Sequence, residues 1–183
     1  YSISPSKIDR VCLVKLKQDD SGKEKGLRIA QYTNVLVLTY DTFKADERHN
    51  VCYSKDHALL SVIYEDGTEE FVPEQYDNIR MSHVFPEPGR HVVKLRLSNA
   101  ATTLDNMFSI AYWAAEEYLT TADFSHTDLS RTTNMESMFQ NCKHLETCVF
   151  GEVNTPELKN IKNMFKYCYA LRSVDIASLQ TDK

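Results

Sequence analysis

The most constraining feature of this sequence is a repeat of 26 residues in its C-terminal half. The segments that begin at Leu119, Leu145 and Leu171 share the pattern LxxhxΦ, where h is small or apolar and Φ is Phe or Ile. Their offsets are 145 − 119 = 26 and 171 − 145 = 26. A period of roughly 20 to 50 residues is typical of solenoids, whose stacked units bury one continuous core. The sequence therefore predicts a stacked array.

A second shared block precedes each of these segments and has helical spacing. In the second copy its apolar residues are Met135, Met138, Phe139 and Cys142, at positions i, i+3, i+4 and i+7. This spacing places four side chains on one face of a helix, and Asn134 stands where it could cap the N-terminus. Each unit is therefore predicted to be a two-turn helix followed by a short strand. The corresponding blocks are Leu104, Met107, Phe108 and Ala111 in the first copy, and Ile161, Met164, Phe165 and Cys168 in the third.

The two ends of the array differ from its middle. Phe108 and Leu119 are 119 − 108 = 11 positions apart, against 145 − 139 = 6 in the second copy. The extra residues, 112–116, include the one Trp of the chain, Trp113. We expect a longer first helix here that caps the array, because a terminal repeat must shield the core from water. No capping pattern follows the third copy, which leaves open whether the array continues beyond Lys183.

Residues 1–99 lack this repeat and contain short runs of β-branched and aromatic residues. Several runs alternate apolar and polar residues, as half-buried strands do. Asp66-Gly67 is a turn signal between two of them. Short strands at this spacing predict a β-sandwich. The predicted fold is thus α+β with two domains, a β-sandwich over 1–99 and a helix-strand solenoid over 100–183. The clearest runs are Val11–Leu16, Leu27–Tyr32, Val35–Tyr40, Leu59–Tyr64 and His91–Leu97.

The array resembles a known repeat. NMESMFQNCKHL, which begins at Asn134, and NIKNMFKYCYAL, which begins at Asn160, resemble the NMxxMFxxCxxL signature of BspA-type leucine-rich repeats. That repeat is also described from mycoplasma-type surface lipoproteins. The resemblance covers about residues 100–183. It implies a non-enzymatic bacterial protein, secreted or on the cell surface, of a kind linked to adhesion or to binding host proteins.

The N-terminal half resembles a second family. SHVFPEPGRHVVKLRLSN, over residues 82–99, resembles the closing hairpin of polycystic-kidney-disease-type immunoglobulin-like domains. YEDGT, from Tyr64, is similar to the turn motif of those domains. The resemblance covers about residues 27–99. It implies an immunoglobulin-like β-sandwich that serves as a spacer or weak interaction module on an exported protein.

Composition and motifs argue against several functions. The chain has 21 Lys and Arg against 26 Asp and Glu, a formal charge of −5, and its basic residues are scattered. A nucleic-acid partner is therefore not expected. No apolar run approaches the roughly 20 residues of a membrane-spanning helix. The absence of GxGxxG, GxxxxGK and GxSxG strings removes the usual signs of dinucleotide, P-loop and hydrolase chemistry, and no cofactor is predicted.

Two clusters are candidates for chemistry, and for both we favour a structural role. Cys52 with His57 could form a thiol and its base, but catalytic partners usually converge from distant segments. His83 and His91 flank a turn and could hold part of a metal site, but no further ligand joins them at suitable spacing. Cys142 and Cys168 recur where the first copy has Ala111, so they are predicted as small buried core residues.

The remaining function is binding. In a leucine-rich solenoid the residues between the inward-facing ones line a concave face. Three strands of five residues give such a face about 250 Å², against roughly 800 Å² per partner in a stable interface. The predicted partner is a protein or glycan of a host or its extracellular matrix, bound weakly by a non-enzymatic extracellular or cell-surface protein. The predicted contact residues are Thr120, Thr121, Asp123, Glu146, Thr147, Val149, Arg172, Ser173 and Asp175.

Two alternatives stay open. The chain could be a structural spacer without a ligand, or a hydrolase or metal-dependent enzyme with a site at the domain junction that includes Cys52, His57 or His83. The sequence contains no recognisable export signal at its start and does not define the oligomeric state.

Overall fold

The structure is a computed structural model that describes residues 11–13, 29–31, 34–111 and 118–180. Within these residues it contains eleven β-strands and no helix. No helix that could cross a membrane is found in this described part. The strands are β1 (Val11–Leu13), β2 (Ile29–Gln31), β3 (Val35–Thr42), β4 (Glu47–Ser54), β5 (Leu59–Ile63), β6 (Glu69–Phe71), β7 (Ile79–Phe85), β8 (Gly89–Leu97), β9 (Leu119–Asp123), β10 (Thr147–Val149) and β11 (Ser173–Asp175).

The chain separates into two compact units, Tyr1–Thr33 and Asn34–Lys183. In the first unit β1 and β2 pair antiparallel. The second unit contains a seven-stranded sheet in the order β11-β10-β9-β3-β8-β5-β6 and a two-stranded ribbon of β4 and β7. The boundary predicted between residues 99 and 100 lies inside this second unit.

Strand β3 joins the repeat strands to the rest of the sheet. It pairs antiparallel with β8 at one edge and with β9 at the other, whereas β9, β10 and β11 are parallel to one another. Its residues alternate strictly between buried and half-buried, since successive side chains of a strand point to opposite faces. Leu36, Leu38 and Tyr40 are almost fully buried. The side chains on one face of the sheet therefore lie in the core.

The β4-β7 ribbon packs against this core. The Tyr40 hydroxyl donates a hydrogen bond to the Val51 carbonyl at 2.9 Å. Val51, Met81 and Phe85 of the ribbon are buried in the same cluster as the apolar residues of the repeats. A single continuous core thus lies beneath β3 to β11.

The helices predicted in the repeats are wrong, and with them the α+β fold class. Each block is instead a series of tight turns that contains a residue in the left-handed region, with φ of 57° at Asn106, 54° at Ser137 and 57° at Asn163. A right-handed helix requires φ near −63°. The N–H groups of Met135 and Phe139 donate to carbonyls of the next coil at 2.8 and 2.9 Å, and not back along their own segment.

The helical spacing had a different physical origin. Met135, Met138 and Phe139 are fully buried, so the predicted stripe does face the core. Successive tight turns bring every third or fourth residue to one side, as a helix does. The Asn134 side chain accepts a hydrogen bond from the Glu136 N–H at 3.0 Å, which is the bond of an Asx-turn. The predicted polar cap exists, but it opens a turn.

The predicted immunoglobulin-like sandwich is also corrected. Strands β3, β8, β5 and β6 do not form a separate sandwich sheet, because β3 continues the sheet into β9. The described fold is all-β, with one mixed sheet shared by β3, β8, β5 and β6 and the repeat strands. The longer first helix expected around Trp113 lies outside the described residues.

Substitutions at Ser137 test whether this block forms turns or a helix. Left-handed φ costs Ala about 1 kcal/mol relative to Gly, whereas in a helix Ala is the more stable of the two by about 1 kcal/mol. We therefore expect Ser137→Ala to be less stable than Ser137→Gly in urea unfolding at equilibrium. If Ser137→Ala were instead the more stable variant, the result would contradict the turn and favour the predicted helix.

Candidate binding face

Two rows of side chains lie on the sheet face opposite the core. Ala122 and Cys148 are buried at equivalent positions of β9 and β10. Because side chains alternate along a strand, the residues on either side of them point away from the core. One row consists of Thr121, Thr147 and Ser173, and the other consists of Asp123, Val149 and Asp175. We call this surface the outer face.

Six of the nine predicted contact residues form these two rows. The other three stand one position before Thr121, Thr147 and Ser173, and of these Thr120 lies within β9 whereas Glu146 and Arg172 immediately precede β10 and β11. Thr120 lies at a bulge and donates to the Thr39 carbonyl at 3.2 Å. The guanidinium of Arg172 lies 3.8 Å from the Glu146 carboxylate. Neighbouring repeats thus pair charges at the start of the strands.

The outer face continues beyond the repeats, onto residues that the sequence analysis missed. Thr39 of β3 lies opposite Thr121 and also opposite Val92 of β8. Val37 in turn lies between Asp123 and Lys94. The alternation of β3 shows in the sequence which residues share a face. Nothing in the sequence shows that β3 pairs with β9.

The outer face carries charges of both signs, since Asp123 and Asp175 lie in one row with Lys94 of β8. At one end, Arg90 Nε donates to Asp41 Oδ1 at 3.2 Å. This hydrogen bond raises the pKa of the Arg90 guanidinium, and the charge of Glu146 acts in the same direction. The neighbouring row, from Ser173 to Val92, presents hydroxyl groups and one apolar side chain. Such a surface suits neutral hydrogen bonds and apolar contact better than it suits a polyanion.

The candidate thiol and base do not form a pair in the structure. Cys52 is buried in the core of β4. The His57 side chain is 57% exposed, and its Nε2 lies 3.4 Å from Asp77 Oδ1. The imidazole therefore faces a surface carboxylate, whereas the thiol faces the core.

The two candidate metal-binding histidines lie against aromatic rings. His83 stacks on Tyr64 with ring centroids 3.8 Å apart, and His91 stacks on Phe85 at 4.3 Å. His91 Nδ1 lies 2.7 Å from a Glu65 carboxylate oxygen. In the described part of the chain, no three His, Cys, Asp or Glu side chains are placed to hold a metal ion.

The repeat cysteines have a role that the sequence did not reveal. Cys142 and Cys168 each donate through Sγ to a carbonyl of the preceding coil, that of Phe108 or Phe139, at 3.1 Å. Cys148 and Cys168 are free thiols. Burial raises the pKa of Cys148 well above its usual range and that of Cys168 to about 11. The thiols of Cys148 and Cys168 are therefore protonated at neutral pH.

The described part of the chain has an all-β fold with an array of parallel repeat strands. Residues 99–183 match the family described as "Mycoplasma protein of unknown function, DUF285". No curated protein matches the chain significantly, and no solved structure does. The family match covers β9 to β11 and supports a mycoplasma-type repeat there. It lends no support to the finer assignments, to BspA-type leucine-rich repeats or to polycystic-kidney-disease-type domains.

Histidine burial makes stability depend on pH. Burial lowers the pKa of His49 and His83 below the ordinary 6.5, and Nε2 of His49 has no hydrogen-bond partner among the described residues. The unfolded chain therefore binds more protons below pH 6.5, so the free energy of unfolding falls as the pH drops. Each extra proton bound contributes about 1.4 kcal/mol per pH unit.

We expect His49→Phe to reduce this slope in urea unfolding between pH 7.5 and 5. Glu47, Glu65, Asp66, Glu70 and His91 surround the two histidines electrostatically and stay unchanged. The exposed His126→Phe serves as the control and should keep the wild-type slope. An unchanged slope in His49→Phe would contradict the assignment.

The thiols are expected to differ in reactivity. Cys142 and Cys148 are nearly inaccessible, whereas Cys168 is partly exposed. A maleimide reagent at pH 7.5 should label Cys168 at least tenfold faster than Cys142, and peptide mass spectrometry measures both rates. Equal rates would contradict the buried Cys142 hydrogen bond.

Proposed function

We propose that this protein is a non-enzymatic recognition module of a bacterial cell surface that binds a protein or glycan partner through the outer face. The observation that carries the proposal is the in-register continuation of two side-chain rows over five strands, from β11 to β8. The match of residues 99–183 to a Mycoplasma family and the resemblance to surface repeats support the location.

The chemistry of the outer face suits recognition. One row presents hydroxyl groups from Thr39, Thr121 and Thr147, each of which can donate and accept a hydrogen bond. Val92 and Val149, which are 36% and 37% exposed, add apolar area beside them. These side chains stand on paired strands, so little backbone entropy is lost when a partner binds.

The size of the outer face predicts weak binding by a single copy. Three residues each in β10 and β11 and five each in β9, β3 and β8, at about 3.4 Å per residue and about 4.8 Å between strands, give about 340 Å². A stable interface needs roughly 800 Å² per partner. Useful affinity therefore requires display of many copies, which can raise avidity about 10²-fold or more.

The test is a binding screen of the chain in multivalent form against arrayed glycans and extracellular-matrix proteins. Thr121→Arg with Thr147→Arg places two bulky charges in the middle of the outer face. We expect this variant to lose at least 90% of any signal that the wild type gives. The matched control, Thr102→Arg with Asn154→Arg, alters two exposed positions outside the rows and should keep the signal.

A third variant separates the repeats from the rest of the face. Thr39→Arg should weaken binding as much as Thr121→Arg alone, because the two residues are direct neighbours across β3 and β9. Binding that survives the double Arg variant would contradict the proposal. If the screen finds no partner at all, the result would favour the alternative that the chain is a structural spacer without a ligand.

A further inference from the structure

Backbone N–H groups at alternate positions of each coil point toward the following coil. In the first coil, Leu104, Asn106, Phe108 and Ile110 donate to the carbonyls of Asn134, Glu136, Met138 and Gln140 at 2.8, 3.0, 2.8 and 3.0 Å. In the second coil, Met135, Ser137, Phe139 and Asn141 donate to Asn160, Lys162, Met164 and Lys166 at 2.8, 2.9, 2.9 and 2.9 Å. Each coil thus presents donors on one side and acceptors on the other.

The third coil presents the same donors without acceptors. Their equivalents are the N–H groups of Ile161, Asn163, Phe165 and Tyr167, and no residue in the described ranges accepts from them. Asn163 and Tyr167 have φ of 57° and 65°, close to the 54° and 66° of their counterparts in the second coil. The donor row is therefore already formed. We call this surface the open end.

The apolar side chains of the open end match those that are covered between coils. In the second coil Phe139 and Leu145 are fully buried, whereas Phe165 and Leu171 at the equivalent positions are only partly buried. Tyr169 is 74% exposed beside them, and Ile176 is 45% exposed. The open end is thus an interface of the kind found twice inside the array, with one side missing.

The direction of the donors restricts what can cover this surface. An ordinary β-strand presents N–H and C=O groups alternately along one edge, so its own N–H groups would face this donor row without acceptors. A second copy related by a two-fold axis would set the two donor rows against each other. The matching surface is a row of carbonyls alone, which the opposite side of a repeat coil provides.

This chain does not offer that carbonyl side to another copy. The Met107 carbonyl of the first coil already accepts from the Tyr53 N–H of β4 at 2.7 Å. Lys55 also forms an ion pair with Asp105 of the same coil. A head-to-tail contact between copies would have to displace β4.

We infer that the open end is a docking site for one further coil of the same repeat type, which supplies a row of backbone carbonyls to Ile161, Asn163, Phe165 and Tyr167. Four hydrogen bonds and the covered Phe165 and Leu171 would then repeat the contact between the second and third coils. A further coil can therefore join the array by this face only, and only in the same orientation.

Hydrogen exchange of individual amides tests the inference on the unaltered chain. At low micromolar concentration the amides of Ile161, Asn163, Phe165 and Tyr167 should exchange at least a hundredfold faster than those of their second-coil counterparts. Equal protection in the monomer would overturn the inference. Protection that appears only as the concentration rises, with dimers in sedimentation velocity, would identify a second copy as the occupant and overturn it as well.

An extended chain tests the occupant. A copy of residues 158–180 added directly after Lys183 keeps the 26-residue period, because 181–183 then take the places of 155–157. The four amides should become at least tenfold more protected than in the unextended chain. The control extension carries the same residues in scrambled order and should leave their exchange unchanged. Protection by both extensions, or by neither, would overturn the inference.

Discussion

The structure depends on β3 being paired at both edges. At one edge Leu38 lies opposite Val93 of β8, and at the other it lies opposite Ala122 of β9. A strand with a free edge exposes unpaired backbone groups, and β3 has none along this stretch. Its buried alternate residues anchor β4 to β8 and the repeat strands to one core. Without β3 the repeat strands would have an unprotected first edge, and the outer face would end at β9.

In the repeats, the backbone N–H and C=O groups find hydrogen-bond partners in a different way. Left-handed residues such as Ser137 and Asn163 turn alternate N–H groups of a coil to one side and alternate carbonyls to the other. These groups are therefore satisfied only by a neighbouring coil in the same orientation. Side chains reinforce this stacking. The ring of Phe139 stacks between those of Phe108 and Phe165, with centroids 5.1 and 5.5 Å apart. Cysteine thiols add a hydrogen bond across each junction.

The candidate site was predictable in part. The strand pattern of the repeats identifies Thr121 and Thr147 as outward-facing, because it depends only on local alternation within each 26-residue unit. Thr39 and Val92 could not be added, because their place on the face depends on pairings such as Thr39 with Thr121, which are 82 positions apart (121 − 39 = 82). Pairing over such a distance is selected by the packing of the whole core and leaves no local signal.

The sequence by itself determined which residues are buried and where the units repeat. The 26-residue period and the apolar positions, Met135 and Phe139 among them, are correct because burial follows from side-chain hydrophobicity. The tertiary structure decided the backbone conformation between them. A helix and a series of tight turns place the same side chains on one face, and a short helix gains little stability from its own hydrogen bonds. Hydrogen bonds to the next coil favour the turns, and those bonds exist only once the coils have stacked.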